Sequence, residues 1–356
     1  MDFEYTEAQR DLSGLARDLF TEHAGRPAGF DPELWRAMAA AGLLDAALPE
    51  TAGGAGFDVL EQCAILIELG RTLAPAPYAT SIAVAAATIA RFGDESQLRR
   101  WVDPVLSGES TIAPALARTT VAFEAEPHGE RRRITGSQSV VAAGAFAGAF
   151  LVEARAGADS LLLLVDREAE GVDVTAQQVV DGKDAARLEL RDVRVDAGHA
   201  LTAPGAAAWA RRRATLATCA HQLGVLTRAL ELTCEYARDR RQFGQPIGAF
   251  QAVRQRLADA YIDVEAVRLT LWQAAWRESR SLPADAEIAV AKFWAAEAGH
   301  RVAHTGVHVH AGTGIYLDYP MQRYFLAAKR AEFESGSATS QLRGLGELLA
   351  AEPADA

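Results

Sequence analysis

One stretch of the sequence combines positive charge, turn-forming residues and a helix start. It reads RDRRQFGQPIGAFQ and covers residues 238–251. The pattern predicts a helix that ends near Arg240, a tight turn at Phe243 and Gly244, and a new helix from Gln251. Such a turn presents a guanidinium, free backbone N–H groups and a helix N-terminus at one place, which suits an anion. A plain helix–helix corner with a surface arginine fits the same residues, so both interpretations stay open here.

Three histidines recur at every fourth residue of one predicted helix, namely His300, His304 and His308. This spacing places their imidazoles on one face, which is one way to ligate a metal. The alternative is a helix whose histidines pack against neighbours or face solvent.

Composition narrows the classes of function. The net charge of −11 argues against nucleic-acid binding, because a binder needs a basic face to neutralise phosphates. Cys63, Cys219 and Cys234 are far apart and odd in number, so we predict buried thiols in a reducing cytoplasm. The acidic beginning of the chain lacks a signal-peptide pattern, and its apolar runs are shorter than the roughly 18 residues of a membrane span.

The elements that must position these residues fall into three blocks. Residues 1–110 read as helices, in which Thr6 and Gln9 match a capping box. Asp31 followed by Pro32 matches a second helix start.

Alternation with a period of two, interrupted by glycine turns, predicts short strands over residues 111–203. Residues 204–352 read as long helices with short connections, which is typical of an antiparallel bundle. We therefore predict a mainly α protein with a central β-domain: an N-terminal helical domain, a small β-barrel-like domain and a C-terminal four-helix bundle. The helices predicted in the last block are 206–238, 251–280, 284–310, and 321–334 or beyond.

The turn at residues 238–251 closely resembles the acyl-CoA dehydrogenase signature, in which an arginine and a Phe-Gly turn bind FAD held in a neighbouring subunit. A second segment, VHVHAGTGIYLDYPMQRYFLAAKR at residues 307–330, resembles the glycine-rich segment of that family, which contacts the same FAD. His308 stands where the family usually has glutamine, and Ala311 replaces one of its glycines. The resemblance assigns FAD contacts to Arg240, Gln242, Phe243, Gln251, His308, Gly312 and Gly314.

The resemblance covers essentially the whole chain and implies an acyl-CoA dehydrogenase-like fold. The loop ETAGGAGF and the segment WVDPVLSGE also look like the family. Because this family uses no metal, the resemblance favours the packing interpretation of the three histidines, and we predict no metal site.

The resemblance also shows where a catalytic base is expected. These enzymes remove two hydrogens from a CoA thioester: a carboxylate takes the α proton and the flavin takes the β hydride. In many members the base is a glutamate near the C-terminus, and Gly336 aligns with it. In others the glutamate precedes the Phe-Gly turn, and Ala214 aligns with that position. Neither residue accepts a proton, so we predict no catalytic residue, with Glu334 as the alternative base.

The flavin-ring pocket of the family is also altered. Its Thr-Glu-Pro…Gly-Ser-Asp segment, which holds the ring and the thioester, is replaced by APALARTTVAFEAEP at residues 113–127. Its Trp-Ile-Thr strand aligns with Val140, Val141 and Ala142, so the stacking indole and the hydroxyl donor are missing. The losses therefore fall on the base and the ring, while the adenine-end motif survives.

This pattern resembles the heteromeric acyl-CoA dehydrogenases of actinobacterial steroid breakdown, α2β2 tetramers in which one subunit type lacks the catalytic glutamate. The resemblance implies a non-catalytic subunit that shares FAD with a catalytic paralogue. It also implies a CoA thioester of a steroid or other bulky side chain as the substrate, and an electron-transfer flavoprotein as the acceptor. Two alternatives remain: a self-sufficient homomeric enzyme that uses Glu334, and a structural scaffold subunit that contacts no cofactor.

Overall fold

The computed structural model describes residues 3–23, 29–117 and 120–351. The chain divides into two compact units. The helical unit comprises the described residues of 1–24, 63–74 and 218–356. The mixed unit comprises the described residues of 25–62 and 75–217.

Helices dominate both ends of the chain. In chain order they are α1 (Glu7–Glu22), α2 (Pro32–Ala40), α3 (Val59–Thr72), α4 (Ala87–Phe92), α5 (Glu95–Gln97), α6 (Asp103–Leu106), α7 (Ala206–Asp239), α8 (Gln251–Ser279), α9 (Asp285–His310), α10 (Pro320–Phe333) and α11 (Ala338–Ala351). Two π-helical stretches, Tyr78–Ala86 and Leu98–Val102, lead into α4 and α6. Within the helical unit, α8, α10 and α11 all pack against α9.

The predicted helix starts are confirmed. Thr6 Oγ1 accepts from Gln9 N at 3.2 Å while Gln9 Oε1 accepts from Thr6 N at 3.1 Å, which completes the capping box. Asp31 caps α2 in the predicted way. The end of the last predicted helix differs: α10 stops at Phe333, and a separate α11 follows. Ser335 and Gly336 have φ of +58° and +96°, which a continuous right-handed helix does not accommodate.

Two glycines bring α3 and α7 together backbone to backbone within the helical unit. A Cβ at Gly70 would lie 2.0 Å from His221 O, and a Cβ at Gly224 would lie 1.9 Å from Ile67 O. No other residue type fits this crossing unless the helices move apart.

Partly buried ion pairs link helices of the helical unit. Arg71 binds Glu231 through two hydrogen bonds of 2.8 and 2.9 Å, and Arg228 binds Glu231 at 3.0 Å. Burial alone would raise the pKa of Glu231, but the two guanidinium groups outweigh it and hold that pKa below its ordinary value. Arg17 binds Glu68 in the same bidentate manner.

The mixed unit is built on one sheet. Its strands are β1 (Ile112–Ala115), β2 (Phe123–His128), β3 (Arg131–Ala142), β4 (Ala149–Ala156), β5 (Asp159–Asp166), β6 (Val172–Gln178), β7 (Asp184–Asp196) and β8 (Ala200–Leu201). The order is β6-β7-β3-β2-β4-β5-β8, and β1 pairs with β4 in parallel. Inward-facing residues such as Phe123, Phe150 and Leu163 form its core.

The predicted fold class is confirmed, since helices, a central sheet and long helices follow one another along the chain. Among the described residues, no helix is both long and apolar enough to cross a membrane.

The crossing of α3 and α7 provides a test of the fold. We expect Gly70→Ala and Gly224→Ala each to lower the free energy of unfolding by about 1–3 kcal/mol or more, because the new methyl group meets a backbone carbonyl. Gly14→Ala in α1, where the added methyl group meets no atom within 4 Å, is the matched control and should raise it by about 1 kcal/mol. Urea denaturation measures both, and an unchanged midpoint for the two crossing variants would refute the close packing.

Candidate functional site

The Arg240 turn, residues 240–251, has the predicted tight geometry. Residues 241–242 (β9) and 245–246 (β10) pair as a two-stranded hairpin. Phe243 and Gly244 at its tip have φ of +53° and +82°, the left-handed pair that a two-residue hairpin with a type I′ turn requires. This conformation leaves the Phe243 ring 91% exposed.

Arg240 has a fixed backbone and an exposed side chain. Its N–H donates to Tyr236 O and its carbonyl accepts from Ile247 N, both at 2.8 Å. Within the described part of the chain, no hydrogen bond or ion pair holds its guanidinium. The first residue of α8, Gln251, is also exposed, and Phe250 before it provides no side-chain cap. A free guanidinium therefore lies in the same turn as an uncapped helix N-terminus, which is a good arrangement for an anion.

The glycine segment, residues 307–319, begins in the last turn of α9. His308 and Gly312 are exposed, whereas Gly314 is buried, and a Cβ there would lie 2.9 Å from the Cβ of His310. Ala311 adopts φ +52° and ψ −136°, a conformation that favours glycine. The alanine is therefore strained at the position where the sequence resemblance expects a glycine.

An aromatic cluster brings the Arg240 turn and the glycine segment together in the helical unit. The ring of Tyr236, one helical turn before Arg240, stacks on His310 at 4.4 Å between centroids. Tyr319 at the other end of the glycine segment contacts both rings, at 5.2 Å from His310 and 6.4 Å from Tyr236. We did not predict these three residues, although His310 and Tyr319 flank the glycines and so offered a signal.

His310 is neutral and nearly inaccessible to solvent. Its Nδ1 lies 2.8 Å from Gly306 O, so Nδ1 carries the proton and Nε2 presents a lone pair. That Nε2 is buried and has no hydrogen-bond partner among the described residues. Burial lowers the pKa of His310, because a charged imidazole is costly among these rings.

Large apolar side chains lie exposed in and beside both segments. Ile315, Tyr316 and Leu317 are exposed by 63%, 64% and 80% in the glycine segment. Tyr261 and Ile262 of α8 are exposed by 60% and 63%. Exposed apolar groups of this size are typical of a surface that another molecule covers.

Gly336, at the first candidate base position, has φ +96°. A Cβ there would lie 2.7 Å from Ser340 Oγ and 2.8 Å from Gln341 Nε2. Both the backbone conformation and the neighbouring side chains therefore favour glycine here.

Of the other candidate base positions, Ala214 has no titratable side chain and Glu334 has an ion-paired carboxylate. Ala214 is half-buried on α7. The carboxylate of Glu334 lies 3.7 Å from Arg330 Nε, next to the end of α10. Lys292, which is fully buried, caps that helix end by donating to Ala331 O at 3.0 Å and to Glu332 O at 3.2 Å.

The strand aligned with the flavin-ring strand is distorted. The pairing register of β3 with β7 shifts between Gln138 and Val141, and Val140 there has φ +57°, which is rare for a β-branched residue. Its N–H donates to Gln177 Oε1 at 2.7 Å. The side chain of Gln177 therefore provides the hydrogen-bond acceptor for the Val140 N–H in the shifted part of β3.

The three spaced histidines do not converge on one point. The rings of His300 and His304 lie 4.4 Å apart, and His300 Nδ1 is 3.0 Å from Lys329 Nζ. Across the described ranges, no group of three or more His, Cys, Asp or Glu side chains is placed to hold a metal ion. His308 instead lies exposed at the start of the glycine segment.

Two family models match the chain. The model described as "Acyl-CoA dehydrogenase, N-terminal domain" matches residues 6–109, and "Acyl-CoA dehydrogenase, C-terminal domain" matches residues 206–349. The chain is 45% identical to acyl-CoA dehydrogenase FadE27 of Mycobacterium tuberculosis, over 99% of this chain and 100% of that protein.

Solved structures give the same result. A chain of the ChsE4–ChsE5 complex of Mycobacterium tuberculosis is 46% identical, with a TM-score of 0.94 over 99% of this chain and 100% of that one. A chain of the Tcur3481–Tcur3483 steroid ACAD, in its G363A variant, is 38% identical, with a TM-score of 0.90 over 97% and 98%.

The buried His310 makes stability depend on pH. Its pKa in the folded chain lies below the unfolded value of about 6.5, so its full contribution is present above that pH. The contribution is lost as pH falls from about 6.5 towards the folded pKa, because the unfolded histidine then binds the proton more readily. We expect His310→Phe to flatten the fall of the urea midpoint between about pH 7 and 5. His128→Gln, an exposed histidine on β2, is the control, and an equal pH dependence of wild type and His310→Phe would contradict this assignment.

Proposed function

Because the chain belongs to the acyl-CoA dehydrogenase family, we propose that it is the non-catalytic subunit of a heteromeric acyl-CoA dehydrogenase. In this proposal it completes the FAD site of a catalytic partner subunit. The family consists of oxidoreductases that use FAD, and the cofactor supplies the hydride acceptor for α,β-dehydrogenation. The protein must add a base for the α proton and a pocket for the thioester.

The observation that carries the proposal is the conformation of Gly336. The positive φ disfavours a glutamate at this position, and the side-chain ends of Ser340 and Gln341, less than 3 Å from an added Cβ, would have to move. The local backbone therefore supports the absence of a base here. Ala214 offers no base either, and the carboxylate of Glu334 lies 3.7 Å from Arg330 Nε.

The Arg240 turn supports a retained role in cofactor binding. Its exposed guanidinium and the uncapped start of α8 fit the pyrophosphate of FAD, since both favour negative charge. Phe243 adds an exposed ring at the tip of the hairpin, suited to an adenine face. In this proposal Gln242, Gln251, His308, Gly312 and Gly314 complete the contacts.

Exposed surfaces support a partner chain. Over residues 251–259, all of which the structure describes, no residue is fully buried and only Val253 and Leu257 are half-buried, so most of this surface of α8 is open. The likeness to a chain of the ChsE4–ChsE5 complex supports a paralogue as that partner. An α2β2 assembly follows from the proposal, with FAD held between unlike subunits.

The substrate class is proposed from the similar structures. The likeness to a chain of a steroid ACAD favours a CoA thioester with a steroid or similarly bulky acyl group. We propose an electron-transfer flavoprotein as the acceptor and the cytoplasm as the location.

The three-domain division at residues 1–110, 111–203 and 204–352 stays part of the proposal.

Arg240 gives the first test. In the complex co-expressed with the partner, we expect Arg240→Ala to weaken FAD binding roughly 10- to 100-fold, because charge-assisted hydrogen bonds to phosphate are lost. FAD content is read from the flavin absorbance of the purified complex. Arg194→Ala, an exposed arginine on β7, is the matched control and should keep full FAD content. An unchanged FAD content in Arg240→Ala would favour the scaffold alternative instead.

Glu334 gives the second test. We expect Glu334→Gln to leave the dehydrogenation rate of the complex within about twofold, because that carboxylate pairs with Arg330. The chain purified alone should show little flavin absorbance and no dehydrogenation. A loss of about 1000-fold or more in Glu334→Gln, or full activity of the chain alone, would establish the self-sufficient enzyme.

A further inference from the structure

One buried ring lies between the two segments to which FAD contacts are proposed. His310, the last residue of α9, has 1% of its surface exposed, and its Nε2 has no hydrogen-bond partner among the described residues. A buried polar atom without a partner is costly, and an apolar side chain would avoid that cost. The contacts of the ring therefore indicate what it contributes.

The ring of His310 contacts three parts of the helical unit. Its Nδ1–H donates to Gly306 O at 2.8 Å, which fixes the ring against its own helix. Tyr236 of α7 stacks on it, with the ring planes 30° apart and the centroids 4.4 Å apart. The ring of Tyr319, at the end of the glycine segment, lies 5.2 Å away. Aromatic rings attract one another at these distances and angles, so the imidazole links α7 to the glycine segment.

The backbone beside His310 is closely packed. A Cβ at Gly314 would lie 2.9 Å from the His310 Cβ, so the glycine segment folds back directly onto the last turn of α9. A Cβ at Gly306 would lie 2.3 Å from Met321 Cε, and Thr233 Oγ1 of α7 lies 3.9 Å from Met321 Sδ. The ends of α7 and α9 and the start of α10 therefore meet around the ring with little free space.

The contacts of His310 lead directly to Arg240. The Tyr236 carbonyl accepts from Arg240 N at 2.8 Å, so the residue that stacks on His310 also holds the backbone of Arg240. The Tyr319 N–H donates to Tyr316 O at 3.1 Å, which holds the end of the glycine segment. One buried ring thus joins the backbone that carries the free guanidinium to the glycine segment.

We propose that His310 is the positioning residue of the cofactor site. It holds the Arg240 turn in register with the glycine segment, so that both meet the adenosine diphosphate part of FAD. This inference rests on the proposed function, which assigns FAD contacts to these two segments. Because its ring is buried, His310 acts through Arg240 and does not touch the cofactor. A guanidinium whose backbone is already fixed binds phosphate at a smaller entropic cost.

Fragments of the cofactor test this role. The probes are FAD, ADP and FMN, each titrated calorimetrically into the co-expressed complex after its FAD has been removed by dialysis. We expect His310→Leu to weaken the binding of FAD and ADP about tenfold, because two aromatic contacts are lost. FMN binding should not change, because FMN lacks the ADP part. An unchanged ADP affinity, or an equal loss for FMN, would overturn the proposal.

Trp272→Leu is the matched control for a general loss of stability. Trp272 is a buried aromatic residue of α8 in the same helical unit, and its ring stacks on Tyr5 at 5.1 Å. We expect this variant to lower the urea midpoint as His310→Leu does, but to keep the ADP affinity of the wild type. An equal loss of ADP affinity in both variants would show that stability alone is measured, which would contradict a positioning role.

Two further variants separate positioning from packing. His310→Phe keeps an aromatic ring at this place and should bind ADP within about threefold of the wild type. In the Arg240→Ala complex, adding His310→Leu should weaken FAD binding much less than tenfold, because residues that act through one another are not additive. A tenfold loss in His310→Phe, or the full tenfold loss in the Arg240→Ala background, would refute the proposal. Tyr236→Leu removes the same stack and replaces His310→Leu if that variant fails to fold.

The two proposals fail in different ways. FAD content and dehydrogenation are recorded on the same samples. If Arg240→Ala lowers the ADP affinity and His310→Leu does not, only the role of His310 is removed. Full FAD content in the Arg240→Ala complex, or dehydrogenation by this chain without a partner, removes the proposed function.

Discussion

The close crossing of α3 and α7 is the constraint on which the helical unit depends. Gly70 and Gly224 let two backbones meet where any side chain would separate them. This contact fixes α7, whose last turn contains Tyr236 and which is followed directly by Arg240. Tyr236 in turn stacks on His310, which places the end of α9 and the glycine segment. The position of the candidate cofactor site therefore depends on the absence of side chains at Gly70 and Gly224.

The candidate sites have been retained unevenly. The Arg240 turn has a free guanidinium and an uncapped helix start, both of which favour a negatively charged ligand. The linker between α10 and α11 instead commits Gly336 to a conformation that favours glycine. The proposed shared site accounts for both features, because the partner would supply the base while this chain would supply contacts to the phosphates of FAD.

Polar groups in the altered regions are satisfied by the chain itself. Gln177 accepts from Val140 N, Gln138 donates to Leu116 O, and Glu153 accepts from Ala117 N. In a ligand-binding pocket some backbone groups stay open for the ligand, because a buried polar group without a partner is costly. Here side chains of the same chain form hydrogen bonds with the backbone groups of Val140, Leu116 and Ala117.

The sequence by itself determined the features that depend on near neighbours in the chain. The capping box at Thr6, the long helices and the left-handed hairpin tip at Phe243 follow from interactions between residues a few positions apart. The order of helices, strands and helices follows in the same way. The separate helix α11 after Ser335 and Gly336 was not predicted, since the last helix was expected to end at Glu334 or beyond. Only the tertiary structure decided the Gly70–Gly224 crossing, the aromatic cluster around His310 and the hydrogen bonds of Glu153 with Arg211 and Ala117 N, since their partners are distant in sequence and no local pattern records a contact between distant segments.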